Sequence, residues 1–194
     1  KAINSAFVKA RVAGELQDFL VREGDYVKAG QVIARVDNTE YQARLRQAQQ
    51  QAQSAKAQVD IAQRTYDNNR SLVDQGFISK TALDTSIANL NGAKATYQAA
   101  LFALDVSTKA VDDTILKAPL NGLVSQRFVQ PGERVATEAR IVEIVDLAQL
   151  ELEATLTSAE AMSVKVGQTA KLNVEGTAQE VSARVLRINT STQT

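Results

Sequence analysis

The chain has 194 residues with 22 basic and 22 acidic side chains, so its formal net charge is zero and no basic field favours nucleic acid or an anionic membrane surface. It holds no Cys, His or Trp and a single Met, Met162, which removes the soft and imidazole metal ligands together with thiol and histidine nucleophiles. Polyanion binding thereby drops to the bottom of the list, most familiar catalytic constellations are excluded, and no run of about 18 apolar residues is present to span a bilayer.

Lys1 to Phe7 read as the middle of a strand, so any targeting or anchoring sequence is expected outside the chain. Short β-rich runs broken by glycine follow: Ala13-Gly14-Glu15-Leu16, then Phe19 to Val27 with Gly24-Asp25 at a tight turn, then Val32-Ile33-Ala34-Arg35-Val36-Asp37. The same unit returns later as Asn121-Gly122-Leu123-Val124, Arg127 to Val135 with Gly132-Glu133, and Ile141 to Asp146. Gly14 aligns with Gly122, Val21 with Val129, Gly24 with Gly132 and Val27 with Val135; a one-residue shift near Ala139 then brings Val32 onto Ile141 and Asp37 onto Asp146. Two copies of about 30 residues cannot each bury an apolar face alone, so they should pack as one small sandwich that is completed only when the chain returns.

Between the copies the periodicity becomes helical. Tyr41, Leu45, Ala48, Ala52, Ala55, Val59, Ala62, Tyr66, Asn69 and Val73 alternate in steps of four and three, an Ala-rich and therefore closely packed coiled-coil seam. Thr39 with Gln42 predicts a capping box at its start, and Gly76 ends it. Ser79 predicts the cap of a second helix carrying Leu83, Ile87, Leu90, Lys94, Tyr97, Leu101, Leu104, Thr108, Val111 and Ile115 at the same spacing, with Lys94 and Thr108 interrupting the apolar stripe. A turn of about four residues makes the helices antiparallel, each roughly 50 Å long. Pro119 marks the return to β structure.

After Asp146, Leu150 to Leu156 alternate as a strand, a short helix is expected around Ser158 to Met162, and further strands over Ala170 to Gly176 and Glu180 to Ile188 suggest part of a small β-barrel, to which residues 1–8 could add a strand. The fold class is α+β: a split β-sandwich over 9–38 and 117–147, an inserted antiparallel coiled-coil α-hairpin over 39–116 with its tip near 72–79, and a partial β-barrel over 1–8 and 148–194.

This order of units, carried by Val12-Ala13-Gly14, Val21 to Gln31, Val36-Asp37, Lys117 to Gly122, Val129 to Glu133 and Val164 to Gln168, resembles the periplasmic adaptor, or membrane fusion protein, family related to haemolysin secretion protein D. The resemblance covers about Lys9 to Gly176 and implies that the sandwich is biotinyl/lipoyl-like. It implies no catalysis and no cofactor. It also implies partners: an inner-membrane transporter, an outer-membrane channel and sibling adaptor subunits, in the periplasm, with membrane association through segments outside this chain. The pump would be of the resistance-nodulation-division type for drugs or other small molecules, with an ABC-type exporter or type I secretion system as the alternative. A lipoyl or biotinyl carrier and a plain coiled-coil scaffold are the readings outside transport.

In that family the hairpin tip is similar to a motif of Arg, a Leu four residues later and a Ser seven after that, which docks into channel grooves. Leu72 and Ser79 fall on the last two positions; Asn68 takes the Arg position, and Arg70 lies about 200 degrees round the helix from it. The candidate docking tip is Arg70, Leu72, Phe77, Ile78 and Ser79. The same Leu72 and Ile78 could instead close the coiled-coil core, with Ser79 serving only as a cap. A true carrier needs a Lys at the hairpin between its halves, where this chain has Asp37-Asn38-Thr39 and the helical insert; Lys28 and Lys117 read as surface residues. Asp112 with Asp113 are sequence neighbours that do not point together, and both this pair and Glu151 with Glu153 read as solvated rather than catalytic; Met162 reads as packing.

Overall fold

The computed structural model describes residues 2–173 and 180–188. In chain order come strands β1 (Ala2–Lys9), β2 (Gly14–Phe19), β3 (Tyr26–Val27) and β4 (Val32–Val36), helices α1 (Thr39–Asp74) and α2 (Lys80–Asp112), and strands β5 (Ile115–Lys117), β6 (Gly122–Arg127), β7 (Arg134–Val135) and β8 (Arg140–Leu150). A short helix α3 (Ser158–Ala161) and strands β9 (Thr169–Asn173) and β10 (Glu180–Arg184) follow. The chain divides into two compact units, one over Ala2–Leu150 and one from Glu151 onward.

Two four-stranded sheets, ordered β1-β8-β6-β3 and β5-β4-β2-β7, build the sandwich. Neither sequence copy makes a sheet by itself: β2 of the first pairs with β7 of the second, and β3 with β6. The copies are related by a constant offset of 108 positions, visible in reciprocal hydrogen bonds. Leu16 N–H donates to Glu133 O and Val124 N–H to Asp25 O, both at 2.9 Å; Gly132 N–H donates to Leu16 O at 2.7 Å and Gly24 N–H to Val124 O at 2.9 Å. Burial follows the same pairing, with Leu16 and Val124, Val27 and Val135, Ile33 and Ile141, and Val36 and Ile144 each under 5% exposed. Each such side chain contributes about 1.5–3 kcal/mol relative to exposure, so the core is assembled jointly by both copies.

The expected one-residue shift is absent. Leu20 N–H donates to Ile33 O and Phe128 N–H to Ile141 O, so Ile33, not Val32, is the counterpart of Ile141, and Val145, not Asp146, that of Asp37. The preceding turns are alike, Gln31 N–H closing on Lys28 O and Ala139 N–H on Ala136 O. Their third residues, Gly30 and Glu138, share a left-handed backbone with φ of 83° and 68°. Matching by residue type had moved the register because Glu138 does not resemble a turn glycine.

The hairpin forms from 36-residue and 33-residue helices, about 54 and 50 Å long. The α1 seam is as the spacing predicts, with Ala48, Ala52 and Ala55 buried and its other members half-buried. On α2 the stripe differs. It runs through Leu83, Ser86, Leu90, Ala93, Tyr97, Ala100, Leu104, Ser107 and Val111, while Lys94 and Thr108 are exposed. The Lys94 interruption therefore disappears: the seam passes one residue to the N-terminal side of Lys94 and Thr108, over Ala93 and Ser107, small residues that accept the closely packed Ala face of α1. Ile115 lies in β5 rather than on the helix, which ends at Asp112.

Two start signals were read differently by the chain. The N-cap position of α1 is Asn38, without a side-chain cap bond, and Thr39 is the first helical residue; Asp37 Oδ1 instead accepts from Thr39 N–H at 3.0 Å and Thr39 Oγ1 at 2.7 Å. The capping box stands at α3, where Thr157 and Glu160 bond each other reciprocally. Beyond Leu150, residues 151–157 are not a strand, and β9 and β10 form an antiparallel hairpin; the expected strand end at Val174 to Gly176 lies outside the described residues. Strand β1, expected in the barrel, pairs along β8 and belongs to the compact unit that contains the sandwich and hairpin.

Candidate functional site

The hairpin tip is fixed by backbone bonding at the end of α1. Gly76 N–H donates to Val73 O and Phe77 N–H to Leu72 O, both at 2.9 Å, with Gly76 at φ 77°: this pair of bonds is a Schellman closure, which needs the left-handed conformation that glycine adopts freely. The closure turns the chain back so that Phe77 follows directly over the last turn of α1. Ser79 then caps α2, its side chain accepting from Ala82 N–H at 3.4 Å.

These constraints present apolar surface at the far end of a rod. Phe77 is 73% exposed and Leu72 38%, while Ile78 is half-buried; Arg70 and Asn68 are exposed on α1. The five candidate residues are thus brought to one end of the hairpin, Ser79 with a structural duty as well. An exposed phenyl ring at a tip held by hydrogen bonds is a surface that loses little conformational freedom on docking.

The opposite end of the hairpin carries a set of contacts that sequence reading missed. Tyr41, counted as a seam residue, also donates its hydroxyl to Ala13 O at 2.7 Å. Asp113, read as solvated, accepts from Lys109 and from Arg11 Nη1, the latter at 3.3 Å. Burial, the largest influence on the Asp113 carboxyl, pushes its pKa up, but the hydrogen bonds and charges of Lys109 and Arg11 together hold it below the ordinary value of 3.8. The spacing of Lys109 and Asp113 was a readable (i, i+4) signal; Arg11, 102 positions away, was not. Val12 lies with Val106, Ala110 and Asp105 along an apolar groove beside this pair.

The remaining candidates have structural surroundings. Lys28 and Lys117 are exposed, and the join between the halves where a carrier lysine would stand is occupied by Asp37, whose carboxyl the Thr39 hydroxyl and amide hold below 3.8. Glu151 accepts from Arg187 Nη2 at 2.9 Å. Met162 is 83% exposed, so it does not pack within the described residues as expected. Among the described residues no cluster of three or more carboxylates could hold a metal ion.

Against known proteins, residues 4–147 match the family described as RND MFP, barrel-sandwich hybrid domain. The nickel and cobalt resistance protein CnrB of Cupriavidus metallidurans is 31% identical over 189 residues, covering 94% of this chain and 45% of that protein. The multidrug resistance protein MdtA of Yersinia pseudotuberculosis is 29% identical over 169 residues, covering 86% of this chain and 38% of its own length. The chain thus spans less than half of these curated relatives. The fold is that of the membrane fusion protein Spr0693 of Streptococcus pneumoniae, with a TM-score of 0.77 at 19% identity over 100% of this chain and 81% of that one.

Proposed function

The chain belongs to the RND MFP family of membrane fusion proteins, and from that premise we propose that it is the adaptor segment linking an inner-membrane transporter to an outer-membrane channel in a small-molecule efflux pump. It has no chemistry of its own: it bridges and couples. The protein works in the periplasm, in several side-by-side copies, and is anchored to the inner membrane by sequence outside this segment. Substrate choice and energy belong to the transporter. That division suits relatives named for nickel and cobalt in one case and for many drugs in another.

The observation that carries this reading is the tip. Leu72 and Phe77 stand exposed on a closure made by Gly76, roughly 50 Å along the hairpin from the sandwich. Large apolar side chains in such a place have no core to join, which is the signature of a docking surface. Ser79, Ile78 and Arg70 flank them, and uncharged Asn68 stands where the family's motif has Arg.

The test is complementation. In a strain lacking the gene, the full-length protein with Leu72→Asp and Phe77→Asp should fold and reach the periplasm at parental levels yet leave efflux at the deletion level. Parental efflux from that variant would overturn the docking role of the tip.

A further inference from the structure

We propose that residues 10–13 form a two-point clasp that fixes the angle of the helical hairpin on the sandwich. The hairpin leaves the sandwich after Asp37 and returns at Thr114, and these crossings are tied to each other where Val36 N–H donates to Thr114 O at 2.9 Å. Two adjacent crossings define one axis and leave tilt about it free. Contacts to a third segment remove that freedom, and residues 10–13 supply two of them: Tyr41 Oη of α1 donates to Ala13 O at 2.7 Å, and Arg11 Nη1 donates to Asp113 Oδ1, just past α2, at 3.3 Å. Each helix root is therefore held by the same four-residue stretch. Between the two bonds, Val12 meets the groove that Val106 and Ala110 of α2 line.

The pseudo-symmetry of the sandwich makes this use conspicuous. The equivalent stretch of the second copy, 118–121, serves the sandwich itself, Asn121 Oδ1 accepting from Ala29 N–H at 2.8 Å. Its counterpart at position 13 offers only a backbone carbonyl, and that carbonyl is given to the hairpin. Residues 10–13 also continue β1, which lies along β8 from Ala2 opposite Leu150 to Lys9 opposite Arg140. Strand β8 is the one that leads on to the second unit. Arg11 and Tyr41 are positioning residues, and their role does not depend on what the tip binds.

This segment has no Cys, so two introduced here meet no competing thiol within it. Spin labels at Gln58→Cys on α1 and Lys28→Cys in the sandwich, both exposed positions, give a hairpin-to-sandwich distance distribution in the full-length protein by pulsed electron paramagnetic resonance. The parent should give a narrow distribution, and Arg11→Gln with Tyr41→Phe should widen it about twofold while helix content by circular dichroism stays unchanged. Arg11→Lys should restore part of the narrowing. Tyr41→Phe alone, which keeps the ring and removes only the hydroxyl, still decides the matter if the double variant fails to fold. Distributions of equal width in the parent and in the folded variants would overturn the clasp.

Discussion

Phe77 donates its backbone N–H to the carbonyl of Leu72, 2.9 Å away, so the most exposed aromatic ring of the hairpin is held against the last turn of α1 by the backbone alone. Gly76 makes this possible, since its φ of 77° is strained for any residue with a Cβ even though no atom lies within 4 Å of one placed there. Gly76→Ala should therefore cost about 1 kcal/mol, from backbone conformation rather than from a clash. Phe77→Ser should change stability by less than about 0.5 kcal/mol, because its ring is solvent-exposed. Thermal unfolding of the two variants checks the contrast.

The two sandwich glycines at equivalent positions predict unequal costs. A Cβ on Gly14 would lie 2.5 Å from Val36 Cγ1, a side-chain atom, whereas one on Gly122 would lie 2.4 Å from the Val145 carbonyl oxygen and 2.8 Å from its carbon. A side chain can rotate away more cheaply than a strand can move. Gly122→Ala should cost about 3 kcal/mol and Gly14→Ala about half that, measured by denaturant unfolding.

Glu138 occupies the left-handed turn position that Gly30 fills in the first copy. Glu138→Gly relieves strain of about 1 kcal/mol and gives up an exposed ion pair with Lys9 worth less than that. The variant should be more stable than the parent by a few tenths of a kcal/mol, the extra chain entropy of glycine limiting the gain. Gly30→Ala should be less stable by about 1 kcal/mol. Chemical denaturation of both variants tests the pair.

Acid should weaken the hairpin root. Asp37 and Asp113 both have pKa values held below 3.8, the first by the Thr39 hydroxyl and amide, the second, against the opposing effect of burial, by Lys109 and Arg11, with Asp105 the other acid on that groove. A carboxyl lowered in the folded state adds stability above its unfolded value, and that stability is lost as pH falls through the folded value. The thermal midpoint should hold from neutrality to about pH 5 and fall toward about pH 3. Asp37→Asn with Asp113→Asn should lower the midpoint at neutral pH and flatten the acid limb. An acid limb as steep as the parent's would contradict this account.

Much of the architecture was legible because it rests on repetition and period. Gly14 with Gly122 and Gly24 with Gly132 marked the split sandwich, and the Ala48, Ala52 and Ala55 steps marked the α1 seam. On α2 the predicted Leu83, Leu90, Tyr97, Leu104 and Val111 lie on the packed face, but Ile87 was chosen as the larger apolar residue where the buried position is Ser86, which suits an Ala-rich partner by its size. The register after Ala139 was lost to a non-glycine residue in a left-handed turn. The tip residues were found by their place at the end of a rod, while the root contacts were not, since Arg11 and Asp113 meet only after the whole insert has folded.

In-cell photocrosslinking from position 72 of the full-length protein tests the central claim most directly, with partners identified by mass spectrometry. Docking of the tip predicts capture of an outer-membrane channel, abolished when Phe77→Asp is added. Abundant, correctly exported protein that captures no channel from position 72 would contradict it.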